Sequence, residues 1–142
     1  KRRIHLLTGV SMKLFLRILS IFYLIGACLH VMDLLDLRLH FSEMNIVWKG
    51  WILYLCIFDF IAAIGLWRLS NWGIALFILV ALSQLLAYLG FQSFFGPQNF
   101  LVVFHVATLA IFAILFLRIR TVLPRLCPQK IPVASCSTAR SR

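Results

Sequence analysis

Four long apolar runs divide the chain, extending from about Leu14 to Leu35, Trp48 to Leu69, Trp72 to Phe91 and Phe100 to Leu117. A hydrocarbon core about 30 Å thick takes roughly 20 apolar residues per helix, so each run can cross a bilayer. Membrane strands would instead appear as roughly ten-residue segments of alternating polarity, at least about eight of them. Continuous runs, four in number, predict helices. The breaks between them set the topology. Ser70-Asn71 separates the second and third runs so closely that those helices must be antiparallel neighbours. Gly96-Pro97 interrupts the third connection, where proline cannot continue a helix. The first connection, about Asp36 to Val47, is longer and acidic. After Pro124, two further prolines (Pro128, Pro132) and Ser135-Cys136-Ser137-Thr138 predict an unstructured end. The expected fold is an all-α membrane protein: one antiparallel bundle of four transmembrane helices over residues 1–123, followed by a basic, proline-containing tail over 124–142.

Composition agrees and narrows the classes. The chain is 63% hydrophobic and 13% charged, whereas soluble domains run near one half and one quarter. With a mean hydropathy of +0.99, a soluble enzyme, a disordered chain and a disulfide-stapled secreted domain are excluded. The net charge of +10 invites a nucleic-acid partner, but its distribution argues otherwise. Of 14 Lys and Arg residues, all but Arg38 and Lys49 fall on one side of the expected bundle. The positive-inside rule then puts both termini in the cytoplasm. No nucleic-acid partner is expected. Arg68, Arg118, Arg120 and Arg125 are expected to meet anionic lipid head groups. Trp48, Trp51, Trp67 and Trp72 flank the second span and its turn, as interfacial tryptophans do. The Lys1-Arg2-Arg3 start and Gly26-Ala27-Cys28 loosely resemble a lipoprotein signal. Arg17 interrupts that apolar run and it continues to Met32, so an uncleaved first span is expected.

The polar residues inside the spans carry the candidate chemistry. At about 1.5 Å per residue, Tyr23, Asp59, Gln84 and Thr108 fall near the centres of their spans, one per helix, and predict a buried polar layer. Asp59 matters most, because a carboxylate at mid-bilayer costs at least about 2.5 kcal/mol and such residues face the bundle interior. It either exchanges a proton or neutralises a cationic ligand, or it stays protonated and bonds Gln84 or Tyr23 as packing glue. His30 and His105 lie at similar depth, as a bis-imidazole haem b would require. The bland reading makes them interhelical hydrogen-bonders and leaves the chain without a cofactor. In the outer connection, Asp36 and His40 would be helical neighbours at i,i+4, with Asp33 a turn earlier, a possible oxygen and nitrogen set for a divalent cation. The same residues, with Glu43, also read as a solvated lip. Cys28 and Cys56 lie within spans, Cys127 and Cys136 in the tail, and no motif for nucleotide binding, nucleophilic catalysis or structural zinc is present.

Phe41 to Trp51, Ala62-Ala63-Ile64-Gly65-Leu66-Trp67 followed by Trp72-Gly73, Ala87-Tyr88, the Phe95-Gly96 turn, and His105 leading to a basic exit at Arg118 form a recognisable pattern. On these residues the chain resembles a bacterial family of small four-helix membrane proteins that form a domain of unknown function. The resemblance covers about residues 40 to 120, the first span matching only in being apolar. It implies a bacterial inner membrane and no chemistry. It also implies an acidic residue where this chain has Gln84, a departure that weakens a proton-handling role shared by Gln84 and Asp59. With almost no mass outside the bilayer and no catalytic constellation, the expected role is an accessory or assembly subunit. Its partners would be other membrane-protein subunits. The alternatives are a small proton-coupled transporter using Asp59 and a haem-carrying electron-transfer subunit using His30 and His105.

Overall fold

The computed structural model describes the backbone of residues 2–122 and the side chains of residues 10–121; the expected tail, with Arg125, lies outside them. The order is α1 (Arg2–Leu34), a single 3-10 turn (Phe41–Glu43), α2 (Ile46–Trp67), α3 (Asn71–Leu85) continued by a π-helical segment (Leu86–Gly90), the one-turn α4 (Gln92–Phe95) and α5 (Asn99–Val122). Four helical stretches are long and apolar enough to cross a membrane: Val10–Leu34, Ile46–Trp67, Asn71–Gly90 and Asn99–Thr121. The protein is therefore an all-helical, multi-pass membrane protein. The first helix starts well before the expected Leu14, since nothing between Arg2 and Lys13 breaks a helix.

Side-chain pairs fix the register around the bundle. Ser20 Oγ donates to the Ala63 carbonyl at 2.7 Å and the Arg17 guanidinium lies over the Trp67 ring, which sets α1 antiparallel to α2. Tyr54 meets Ser83 at 3.1 Å across α2 and α3, and Phe77 packs on Phe112 across α3 and α5. Phe22 against Phe104 closes the ring between α1 and α5. Inside it lies a core of Leu16, Leu19, Tyr23, Leu55, Ala62, Leu66, Phe77, Val80 and Ala81. Large apolar residues such as Ile18, Ile57, Leu79, Val103 and Leu117 point outward. In a soluble protein such an exterior would be an anomaly. In a bilayer it is the lipid-facing surface.

The turn between α2 and α3 occupies Arg68 to Ser70, with Ser70 as N-cap rather than as half of a two-residue link. Leu69 takes a positive φ of 54°, and Ser70 N–H and Leu69 N–H reach back to the Gly65 and Leu66 carbonyls at 3.0 Å each. This is the Schellman arrangement that satisfies a helix's last carbonyls. Ser70 Oγ donates to Gly65 O at 2.9 Å and accepts from Gly73 N–H at 3.3 Å, so one hydroxyl ties both helix ends. Here the helices touch backbone to backbone. A Cβ on Gly65 would lie 2.5 Å from Gly73 Cα, and one on Gly73 would lie 2.6 Å from Gly65 Cα. Small residues permit this approach, and van der Waals contact is what holds helices together in lipid.

Gly65→Ala and Gly73→Ala should therefore each push α2 from α3, at about the 1–3 kcal/mol typical of overpacking. Gly50→Ala, where an added Cβ meets nothing within 4 Å, should not destabilise, alanine being the better helix former. Thermal unfolding of the three variants in one detergent checks the contrast.

Candidate functional site

The site grows from the end of α1. Asp36 at φ 56° ends this helix with a second Schellman turn, Leu37 N–H bonding Met32 O at 3.0 Å. The chain folds back, and Arg38 comes over the helix end. There it clamps Asp33 with two charge-assisted hydrogen bonds, Nε to Oδ1 at 2.6 Å and Nη2 to Oδ2 at 2.5 Å. Bidentate pairs of this kind are the strong ones. Donation to the carboxylate holds the Arg38 pKa above its ordinary value. Asp33 is 1% exposed, so it is no part of a solvated lip. The expectation from sequence placed it there because nothing local marks Arg38 as its partner.

From Asp33 the polar chain continues inward. His30 Nδ1 lies 3.6 Å from Asp33 Oδ2, and His30 Nε2 lies 3.7 Å from Asp59 Oδ2. Asp59 sits about 20 Å along α2 from Ile46 and about 12 Å from Trp67 at 1.5 Å per residue, 4% exposed. Gly26 makes room for it: a Cβ there would stand 3.3 Å from Asp59 Oδ2. Asp59 Oδ1, however, is buried without any hydrogen-bond partner, as are His30 Nδ1 and His105 Nδ1. The order Arg38, Asp33, His30, Asp59 thus runs from the loop end of the bundle to its middle, alternating in charge character.

The expected polar layer forms only in part. Tyr23 hydroxyl donates to the Phe77 carbonyl at 3.4 Å. Gln84 Oε1 accepts from His105 Nε2 at 2.9 Å, which leaves Nδ1 of that ring as a bare lone pair. Thr108 turns onto its own helix, bonding the Phe104 and His105 carbonyls at 2.9 and 3.1 Å, as helical threonines often do. The Asp59 contact is with His30 rather than with Gln84 or Tyr23. The two histidines considered for haem face one cavity, but each turns Nε2 to a neighbour, Asp59 for His30 and Gln84 for His105. Asp36 and His40 are not helical neighbours, because α1 ends at Leu34; Asp36 Oδ1 instead accepts from Ser42 N–H at 3.0 Å. Among the described residues no cluster of three or more His, Cys, Asp or Glu could hold a metal ion. Arg68 caps α2, and Arg118 and Arg120 lie on the last turns of α5, Arg120 over the Phe116 ring at 4.7 Å.

A cavity of about 230 Å³ opens between α1 and α5, with Asp59, His30, Gln84, His105 and Arg38 among its lining groups and Phe22, Phe100 and Phe104 along its walls. Tyr88 completes it from the π-helical segment. π-helical turns are rare and gather at functional sites. This one turns Ala87 and Tyr88 inward, and Trp51 Nε1 donates to the Tyr88 hydroxyl at 3.4 Å. Sequence reasoning missed Arg38, Gly26 and Tyr88. The available signal for the first was Asp33 three residues after His30 and five before Arg38.

A family model described as a family of unknown function (DUF6163) matches residues 10–122, so the match extends over the first span as well. No curated protein and no solved structure matches the chain.

Breaking a buried ion pair by removing one partner costs about 3–5 kcal/mol. The 44% exposure of the Arg38 side chain brings this pair below that range. Arg38→Ala should lower the melting temperature clearly, and Asp33→Asn combined with Arg38→Gln should recover part of the loss. A double-mutant cycle of thermal melts in detergent measures the coupling.

Proposed function

We propose that this chain, which belongs to the family of unknown function that its residues 10–122 match, is a small proton-coupled membrane transporter. Its exchangeable proton resides on the Asp59–His30 pair. The observation that carries this reading is Asp59 Oδ1, a buried carboxylate oxygen with no partner, on a residue lining a cavity in the middle of an apolar bundle. Packing glue would have its lone pairs answered, since an unsatisfied buried acceptor costs about 1–3 kcal/mol. A group that exchanges its proton or its counter-ion must keep one oxygen available.

The chemistry is simple. A proton on His30 Nε2 passes to Asp59 Oδ2, and imidazolium and carboxylate become imidazole and carboxylic acid with no net change of charge in the cavity. His30 in turn faces Asp33 through Nδ1, and Arg38 holds Asp33 by two hydrogen bonds. The pair therefore connects to the loop end of the bundle through the Asp33–Arg38 contact. In this reading that loop end faces the outside of a bacterial inner membrane with both termini inside, which the excess of cations at the other end supports.

A second reading, an accessory subunit of a larger membrane complex, is favoured by α5. Of the most apolar 18 residues of the span Asn99–Thr121, 11% are buried within the chain, leaving a long apolar face that another membrane subunit could cover. Blue-native electrophoresis of native membranes tests it, since migration as a free monomer removes it.

For the proton reading, infrared difference spectra of the protein in lipid should show a protonated carboxylic-acid band that grows and fades reversibly with pH. The band should vanish in Asp59→Asn. His30→Gln should shift its midpoint. A band that ignores pH, or one that survives in Asp59→Asn, rejects the assignment.

A further inference from the structure

We infer that the cavity above Asp59 binds a monovalent organic ammonium with an apolar body, an inference that rests on the proton-exchange reading and names its substrate class. Arg38 already has its counter-charge in Asp33, so once the Asp59–His30 pair has released its proton and His30 is neutral, the cavity carries one uncompensated charge, that of Asp59. A charge buried away from water is tolerated only when paired, and a single positive charge restores neutrality. An anion would face the carboxylate. A divalent metal ion would require six or more oxygen ligands for calcium, or a full octahedron for magnesium, and Asp59 is the one carboxylate among the lining residues. A proton or an ammonium satisfies Asp59, but not both at once, and that exclusion is the requirement for exchange.

The walls suit the rest of such a ligand. Phe22 and Phe104 stand 5.6 Å apart between ring centroids, tilted at 58°, and both line the cavity. Aromatic faces attract ammonium groups, more strongly when these are desolvated. His105, 3% exposed, also lines the cavity, its Nε2 held by Gln84. A volume of about 230 Å³ holds one phenyl ring with a short chain, and it lies below the roughly 300–1,000 Å³ of drug-sized sites. The other titratable or charged groups on this cavity are His30 and Tyr23 from α1, Tyr88 from the π segment, His105 from α5 and Arg38 from the loop.

The test is equilibrium binding of phenethylammonium, its neutral analogue 2-phenylethanol and its anionic analogue phenylacetate to the full chain in lipid nanodiscs. Phenethylammonium should bind more tightly than either analogue and lose affinity on acidification. Asp59→Asn should weaken it by about tenfold or more, as loss of a desolvated charge partner does. Phe104→Leu should weaken the ammonium several-fold and leave the alcohol unchanged, a loss of cation–π contact, and it keeps the proposal testable if Asp59→Asn does not fold. Equal binding of ammonium and alcohol, or wild-type affinity in Asp59→Asn, overturns the inference. A titrating Asp59 infrared band without ammonium binding overturns the substrate class and leaves proton exchange standing. Ammonium binding without a titrating band does the reverse.

Discussion

In hydrocarbon every charge and every backbone dipole must be answered from within the chain, because no water is there to answer it. That constraint organises the whole molecule. It makes the backbone helical through all four spans, and it makes the last carbonyls of α1 and α2 close in Schellman turns even though Asp36 and Leu69 must adopt positive φ. It also brings Arg38 back over α1 to neutralise Asp33. Against such satisfaction, the bare Asp59 Oδ1, with His30 Nδ1 and His105 Nδ1 near it on the same cavity's lining residues, stands out as the place where the rule is broken.

The architecture holds that exception in position. At one end of the bundle, Gly65 and Gly73 bring α2 and α3 into backbone contact, and Ser70 ties their ends. At the other end α1 and α5 part enough to leave a cavity, with Phe22 and Phe104 still in contact beside it. The bundle is thus tight where it turns and open where the charged groups lie. The π-helical segment at the end of α3 belongs to the open half and supplies Tyr88 to the cavity.

Much of this was legible in the residues. The four spans, the antiparallel order and the singular position of Asp59 follow from apolar run length and from the energetic penalty of a carboxylate in lipid. So does the close approach at Gly65 and Gly73, because a short turn demands small side chains. The partners were not legible. Depth along a span is set by residue number, but rotation about the helix axis decides which of Tyr23, Gln84, His30 or His105 faces Asp59, and spans apolar on all sides carry no signal of rotation. Arg38 read as a loop cation, since its role depends on a turn geometry that Asp36 gives no sign of adopting. Thr108 read as part of a layer, although its nearest acceptors are the carbonyls of its own helix.

A carboxylate that can hold either a proton or an organic cation, in a cavity of limited size, is the minimum apparatus for exchanging one for the other. The most direct measurement is uptake of phenethyltrimethylammonium, whose fixed charge keeps it from crossing lipid unaided, into proteoliposomes acidified inside. Uptake should depend on the outward proton gradient, collapse when a protonophore removes that gradient, and be absent in Asp59→Asn. Uptake that is indifferent to the gradient, or equal in wild type and Asp59→Asn, would contradict proton-coupled transport by this bundle.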